Sequence, residues 1–128
     1  MSLQRWQFAV IVSIAAGFLS GCTGTRALHT YAIATGGYAP RGRQIMVVHH
    51  CGSCHTIPGI HDAHGVFGPP LTAFGRTTYI AGNFPNTPEY LVPWIMSPKS
   101  MKPKTAMPDL GLSEQQARDV AAYLYTLH

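Results

Sequence analysis

Acidic side chains are scarce in this chain. Five Asp and Glu stand against nine Lys and Arg, and charged residues make up 11% of the 128 positions. The formal charge of +4 is a mild bias, without the dense Lys/Arg stripe of a nucleic-acid-binding domain. Cysteine is limited to three, an odd number, so any pairing leaves one over. No alternating strand pattern and no internal repeat is present, which speaks against a sheet-based or solenoid fold. The longest apolar run, Phe8 to Leu19, is too short for a comfortable membrane span. What the chain does have is 13 glycines and 10 prolines, so much of it should be loop. A loop-rich domain of this size buries little core and needs a metal, a disulfide or a cofactor.

The N-terminal segment reads as an export signal rather than part of the fold: one basic residue, Arg5, precedes the apolar run. The run ends in Leu19-Ser20-Gly21-Cys22, which resembles a bacterial lipoprotein signal. In such a signal Cys22 becomes the first mature residue and carries lipid. Residues 1–21 are then the signal peptide, and loss of Arg5 lowers the charge from +4 to +3. An ordinary signal peptide, or an uncleaved anchor with an incidental Cys22, is the competing reading. Either way the expected location is outside the cytoplasmic membrane, on the periplasmic side, with the lipoprotein form held to the membrane. Residues 22–39 are small and polar, with no helical stripe, and read as a flexible tether. The domain is expected over residues 40–128.

Within the domain, Pro40 followed by "RGRQIMVVHH" points to a short first helix. Ile57 to Asn86 reads as loop. Thr87-Pro88-Glu89 marks a helix start, with Pro93 either kinking that helix or beginning it. The stretch "SPKSMKPKTAMPDLG" reads as another loop. Ser113 to Gln116 fits a capping box, and Ala117, Val120, Ala121 and Leu124 then recur at helical spacing, with Arg118 and Asp119 off that stripe.

Chemistry concentrates in "VVHHCGSCHTIPGIHDAHG", Val47 to Gly65. Cys51-Gly52-Ser53-Cys54-His55 is a C-x-x-C-H, the spacing of c-type haem attachment. Two cysteines would form thioethers with the haem vinyl groups, and the adjacent His would reach the iron. Three other readings stay open on the motif alone. Cys51 and Cys54 could hold zinc with His61 and His64, although those histidines are closer together than structural zinc sites prefer. The two thiols could cycle as a dithiol, although the βαβ context is missing. They could also form a plain disulfide. His49 and His50 read as rim residues, His29 as part of the tether, and His128 as the terminus. His61 and His64 are also conceivable iron ligands.

From Pro40 to His128 the chain resembles class I c-type cytochromes, here in a bacterial lipoprotein form. The resemblance rests on an ordered set: Gly42, then "CGSCH", "GPPL" (Gly68 to Leu71), "TAMPDLG" (Thr105 to Gly111) and a terminal "AAYLYTL". It implies an all-α small cytochrome c fold: three to four short helices and long loops around one covalently attached haem c, with the N- and C-terminal helices crossing. His55 would be the proximal ligand. The Pro69 carbonyl would accept a hydrogen bond from its ring, and Leu71 would pack on the haem face. Met107 would be the distal ligand, with Met101 as its rival in the same loop, Met46 in the core and Met96 at a helix end. Gly42 would let the two helices cross closely, with Tyr123 or another aromatic at the crossing. Arg76, Tyr79 and Trp94 are candidates for contacts with the haem propionates or edge. The implied role is electron carriage rather than catalysis, between a quinol-oxidising cytochrome complex and a terminal oxidase, because "GPPLTAFGR", "YIAG" and "NTPEYL" are similar to cytochromes associated with haem–copper oxidases. A haem subunit of an oxidoreductase complex, and a haem enzyme or gas sensor with an open iron position, are the alternatives. Lys99, Lys102 and Lys104 are either a solvated edge or a positive surface that steers an acidic partner.

Overall fold

The structure is a computed structural model that describes residues 34–128. The expected export signal, Cys22, His29 and the expected tether up to residue 33 lie outside the described residues. Among the described residues the named helices, joined by long connections, are α1 (Ala39–Val48), α2 (Pro88–Met96), α3 (Pro98–Met101) and α4 (Glu114–Leu124). Two short 3-10 turns, Cys51–Ser53 and Phe74–Arg76, and a minimal antiparallel pair, β1 (Tyr79–Ile80) and β2 (Phe84–Pro85), accompany them. Among the described residues no helix is long and apolar enough to cross a membrane.

The terminal helices cross, as expected, and a missing side chain is what permits it. A Cβ at Gly42 in α1 would overlap the Asp119 carbonyl oxygen of α4. Ile45 and Met46 of α1 then meet Val120, Ala121 and Leu124 of α4 in one buried cluster, which Leu91, Val92 and Ile95 of α2 extend. Met46, 2% exposed, is core. α4 begins with the expected capping box: Gln116 N–H donates to Ser113 Oγ (3.3 Å) and Ser113 N–H donates to Gln116 Oε1 (2.9 Å).

Five local readings change. The expected tether reaches residue 39, but its last residues are docked on α4: Thr35 is fully buried, and its carbonyl accepts from Arg118 (3.0 Å). The Gly36 carbonyl accepts from Gln115 (3.0 Å). Packing against the domain thus begins ahead of Pro40. Asp119 is not off the buried face but wholly enclosed at the helix crossing, where charge is tolerated because every oxygen is engaged. α2 starts at Pro88 and continues past Pro93, which lies inside it; both Pro93 and Glu89, whose carbonyl Pro93 leaves without a helical donor, sit on the exposed side. Thr87 has the extended backbone of an N-cap, yet its hydroxyl serves the Glu89 carboxylate and holds it below the ordinary carboxylate range. Finally, the stretches read as loop contain α3 and the β1–β2 pair. Elements of two to four residues are too short to show a period.

Candidate haem-attachment site

α1 ends at Val48 with His49 as its C-cap, and His50 takes a left-handed backbone (φ 53°) that swings the chain into the Cys51–Ser53 turn. Inside the turn, the amides of Cys54 and His55 both donate to the Cys51 carbonyl, at 3.2 and 3.0 Å. The turn is braced from below by the loop that follows it. Gly65 N–H donates to the Gly52 carbonyl (3.0 Å), and Ile57 N–H to the Ala63 carbonyl (3.0 Å). That loop is itself pinned: Tyr123 OH donates to the Pro58 carbonyl (2.6 Å) and Arg43 Nε to the Gly59 carbonyl (2.7 Å). Burial raises the Tyr123 pKa, consistent with a hydroxyl that keeps its proton to donate, while Arg43 opposes the rise.

His55 is oriented by the next loop. Its Nδ1 lies 2.7 Å from the Pro69 carbonyl. A carbonyl only accepts, so Nδ1 carries the proton, and the lone pair is left on Nε2. Gly68 presses against the ring, where a Cβ would come within 2.7 Å of Nδ1, and its amide donates to the Cys54 carbonyl (2.7 Å). This role of Gly68 was not read from the sequence; the Gly-Pro pair was visible, but not which side chain it would meet. Leu71 N–H donates to the Thr56 carbonyl (2.9 Å), and Leu71 is half-buried against the core.

Met107 arrives on a separate loop, after α3, and is half-buried. Its amide donates to Thr105 Oγ1 (3.2 Å), and the Thr105 amide donates to the Lys102 carbonyl (2.9 Å). Trp94 tilts against Phe84 (6.4 Å between rings), and Phe84 stacks on Tyr90 (6.0 Å). Tyr79 and Arg76 are exposed.

Among the described residues, His50, His61 and His64 stand apart from this arrangement. His61 pairs with Asp62 (2.7 Å) out in solvent, and His50 and His64 are exposed. Among the described residues no group of three or more His, Cys, Asp or Glu is placed to hold a metal ion, so the four donors of a zinc site do not converge. Cys51 and Cys54 are not joined in a disulfide. Burial pushes the Cys51 thiol up, the opposite of what an activated redox dithiol requires.

The donor set fits a covalently held porphyrin. Two thiols flank two small residues on a tight turn, and a histidine with an assigned tautomer follows at once. Phe74, Phe84, Trp94 and Leu110 supply apolar side chains that the core covers only in part. A family model described as Cytochrome c matches residues 39–128. The chain belongs to the cytochrome c family. This cytochrome is also 37% identical over 90 residues to cytochrome c oxidase subunit 2 of Alkalihalophilus pseudofirmus. That alignment covers 70% of the present chain, and the chain spans only 25% of that relative's length. No solved structure matches the chain. Family membership makes covalently bound haem c the cofactor and electron transfer the chemistry.

Proposed function

We propose that this cytochrome is a membrane-tethered carrier of single electrons with one haem c, delivering them toward a terminal oxidase. The observation that carries the reading is the His55–Pro69 hydrogen bond beside Cys51 and Cys54, which leaves Nε2 as a ready iron ligand. Haem c, when bound, supplies the one-electron couple. Cys51 and Cys54 would hold it through thioethers, and His55 and Met107 would be its iron ligands. The Pro69 carbonyl keeps His55 in one tautomer and one orientation. A Met sulfur together with His would raise the reduction potential and would leave no open site on the iron for oxygen or peroxide. Gly68 and the braced turn hold the ligand still, so little reorganisation accompanies each electron.

Export and lipidation at Cys22 support a location on the periplasmic side, where the carrier moves in two dimensions. A quinol-oxidising cytochrome complex is the proposed donor. The likeness to an oxidase subunit supports the acceptor. It also favours a second reading, in which the protein is a permanent haem subunit of an oxidoreductase complex. Lys99, Lys102 and Lys104 lie exposed along the Met107 loop and favour an acidic partner surface.

Stopped-flow mixing of the reduced protein with a purified haem–copper oxidase tests the role. Oxidation saturable in oxidase and slowed by salt is expected; oxidation no faster than in buffer contradicts it. Fractionation of cells carrying Cys22→Ser tests the tether. The variant is expected in the soluble periplasmic fraction and the native chain in membranes; an equal distribution contradicts lipid anchoring.

A further inference from the structure

Met107 is held by a short chain of hydrogen bonds that ends outside its own loop. Its amide donates to Thr105 Oγ1 (3.2 Å), and the Thr105 amide donates to the Lys102 carbonyl (2.9 Å). The Lys102 amide in turn donates to the Pro98 carbonyl (2.8 Å), closing α3. The Lys102 side chain leaves this loop altogether. Its Nζ donates to the Ala81 carbonyl (2.8 Å), in the turn between β1 and β2, 21 residues earlier in the chain. That turn has an unusual backbone: Ala81 (φ 50°) and Gly82 (φ 94°) are both left-handed. A Cβ at Gly82 would meet Lys102 Nζ at 3.6 Å, so the ammonium sits directly on the turn. Lys99 and Lys104 lie nearby, and although the Lys99 amide donates to Asp109 Oδ1 (3.4 Å), no hydrogen bond from either side chain to another segment is seen among the described residues.

We propose that Lys102 is a positioning residue, latching the Met107 loop to the β1–β2 turn and so keeping the thioether on the iron. The proposal rests on Met107 being the distal ligand. The physical reason for such a latch is the composition of the loop. Residues 102–113 carry no regular secondary structure, and Met107 lies between two exposed neighbours, Ala106 and Pro108. Packing at Met107 itself therefore does little to fix it. A charge-assisted bond to a carbonyl of another element supplies a tie that local packing lacks. Of the three lysines, Lys102 would thus act within the molecule, leaving Lys99 and Lys104 to face a partner.

Imidazole added to the oxidised holoprotein reads the latch, because it binds iron only while the thioether is off. Its apparent affinity scales with that open fraction. Loss of one hydrogen bond of about 1 kcal/mol corresponds to roughly a fivefold change in the open fraction. Lys102→Met is therefore expected to bind imidazole roughly fivefold more tightly than wild type. Lys102→Arg, which retains a donor, is expected to stay near wild type. Thr105→Val, which breaks the chain one step nearer Met107, is expected to tighten imidazole binding in the same direction as Lys102→Met. The guanidinium midpoint by far-ultraviolet circular dichroism is expected to stay near wild type in Lys102→Arg and to fall in Lys102→Met by no more than that one bond. Unchanged imidazole affinity in Lys102→Met, an Arg variant as loose as the Met variant, or a loss of stability in Lys102→Met well beyond that one bond overturns the latch. A wild-type protein with no far-red methionine–iron band overturns Met107 ligation itself and the latch with it. A wild-type band with unchanged imidazole affinity in Lys102→Met overturns the latch alone.

Discussion

Asp119 is a carboxylate with no exposed surface, held where α1 and α4 cross. Burial by itself pushes its pKa up. The hydrogen bond from Arg41, the Tyr38 amide (2.8 Å), the Gln115 amide group (3.2 Å) and the Arg41 charge together outweigh that and hold the group below its ordinary range. Arg41 Nε and one terminal nitrogen (2.8 Å) both engage it. A depressed carboxyl stabilises the fold above its unfolded pKa of about 4, and that contribution is lost as pH falls through the lowered folded value. The denaturation midpoint of the native chain is therefore expected to fall steeply below about pH 4, and that of Asp119→Asn much less. At neutral pH the variant is expected to lose about 1–3 kcal/mol. The loss stays below that for a fully buried pair because the Arg41 side chain is 53% exposed and finds water instead. A pH profile in which the two chains run parallel contradicts this account.

At the scale of elements, α4 was legible because everything that starts it is contiguous. Ser113 and Gln116 cap each other across three residues, and the apolar stripe follows without interruption. Ser113→Ala is expected to cost about 1 kcal/mol, the ordinary value of an N-cap. Gly42→Ala is expected to cost about 3 kcal/mol although it adds a single methyl, because the atom in the way is the Asp119 backbone carbonyl, which has nowhere to go. Thermal denaturation of both variants checks the contrast; equal losses contradict a backbone-to-backbone crossing. What the sequence hid were partnerships across long separations. Nothing near Asp119 announces that Arg41 and Tyr38 enclose it, since they lie 78 and 81 residues away. β1–β2 and α3 were hidden for a different reason, as neither is long enough to impose a pattern on its residues. The docking of Thr35 and Gly36 on α4 was hidden because small polar residues read alike in a tether and in a close contact.

For the whole molecule, the division of labour follows the chain. The α1–α4 crossing and α2 form the apolar core, while the loops between them carry two thiols, an oriented histidine and a methionine. The half of the site around His55 was legible because C-x-x-C-H and Gly-Pro are local motifs whose chemistry dictates their spacing. The proposed distal ligand, Met107, was legible only through a resemblance, because nothing beside it in sequence sets it apart from the other four methionines, and the ties of its loop run through contacts the sequence does not display. The proposed membrane attachment through Cys22 and the proposed partner surface at the exposed Lys99 and Lys104 belong to this scale too.

The central claim is a closed haem iron with His55 on one side and Met107 on the other, built for electrons and not for ligands. Optical spectra of the purified holoprotein and of Met107→Ala, with and without carbon monoxide, test it most directly. The native protein is expected to show the weak far-red band of a methionine–iron bond when oxidised and to leave carbon monoxide unbound when reduced, and Met107→Ala to lose the band and bind the gas. A native protein that lacks the band and binds carbon monoxide readily contradicts the account.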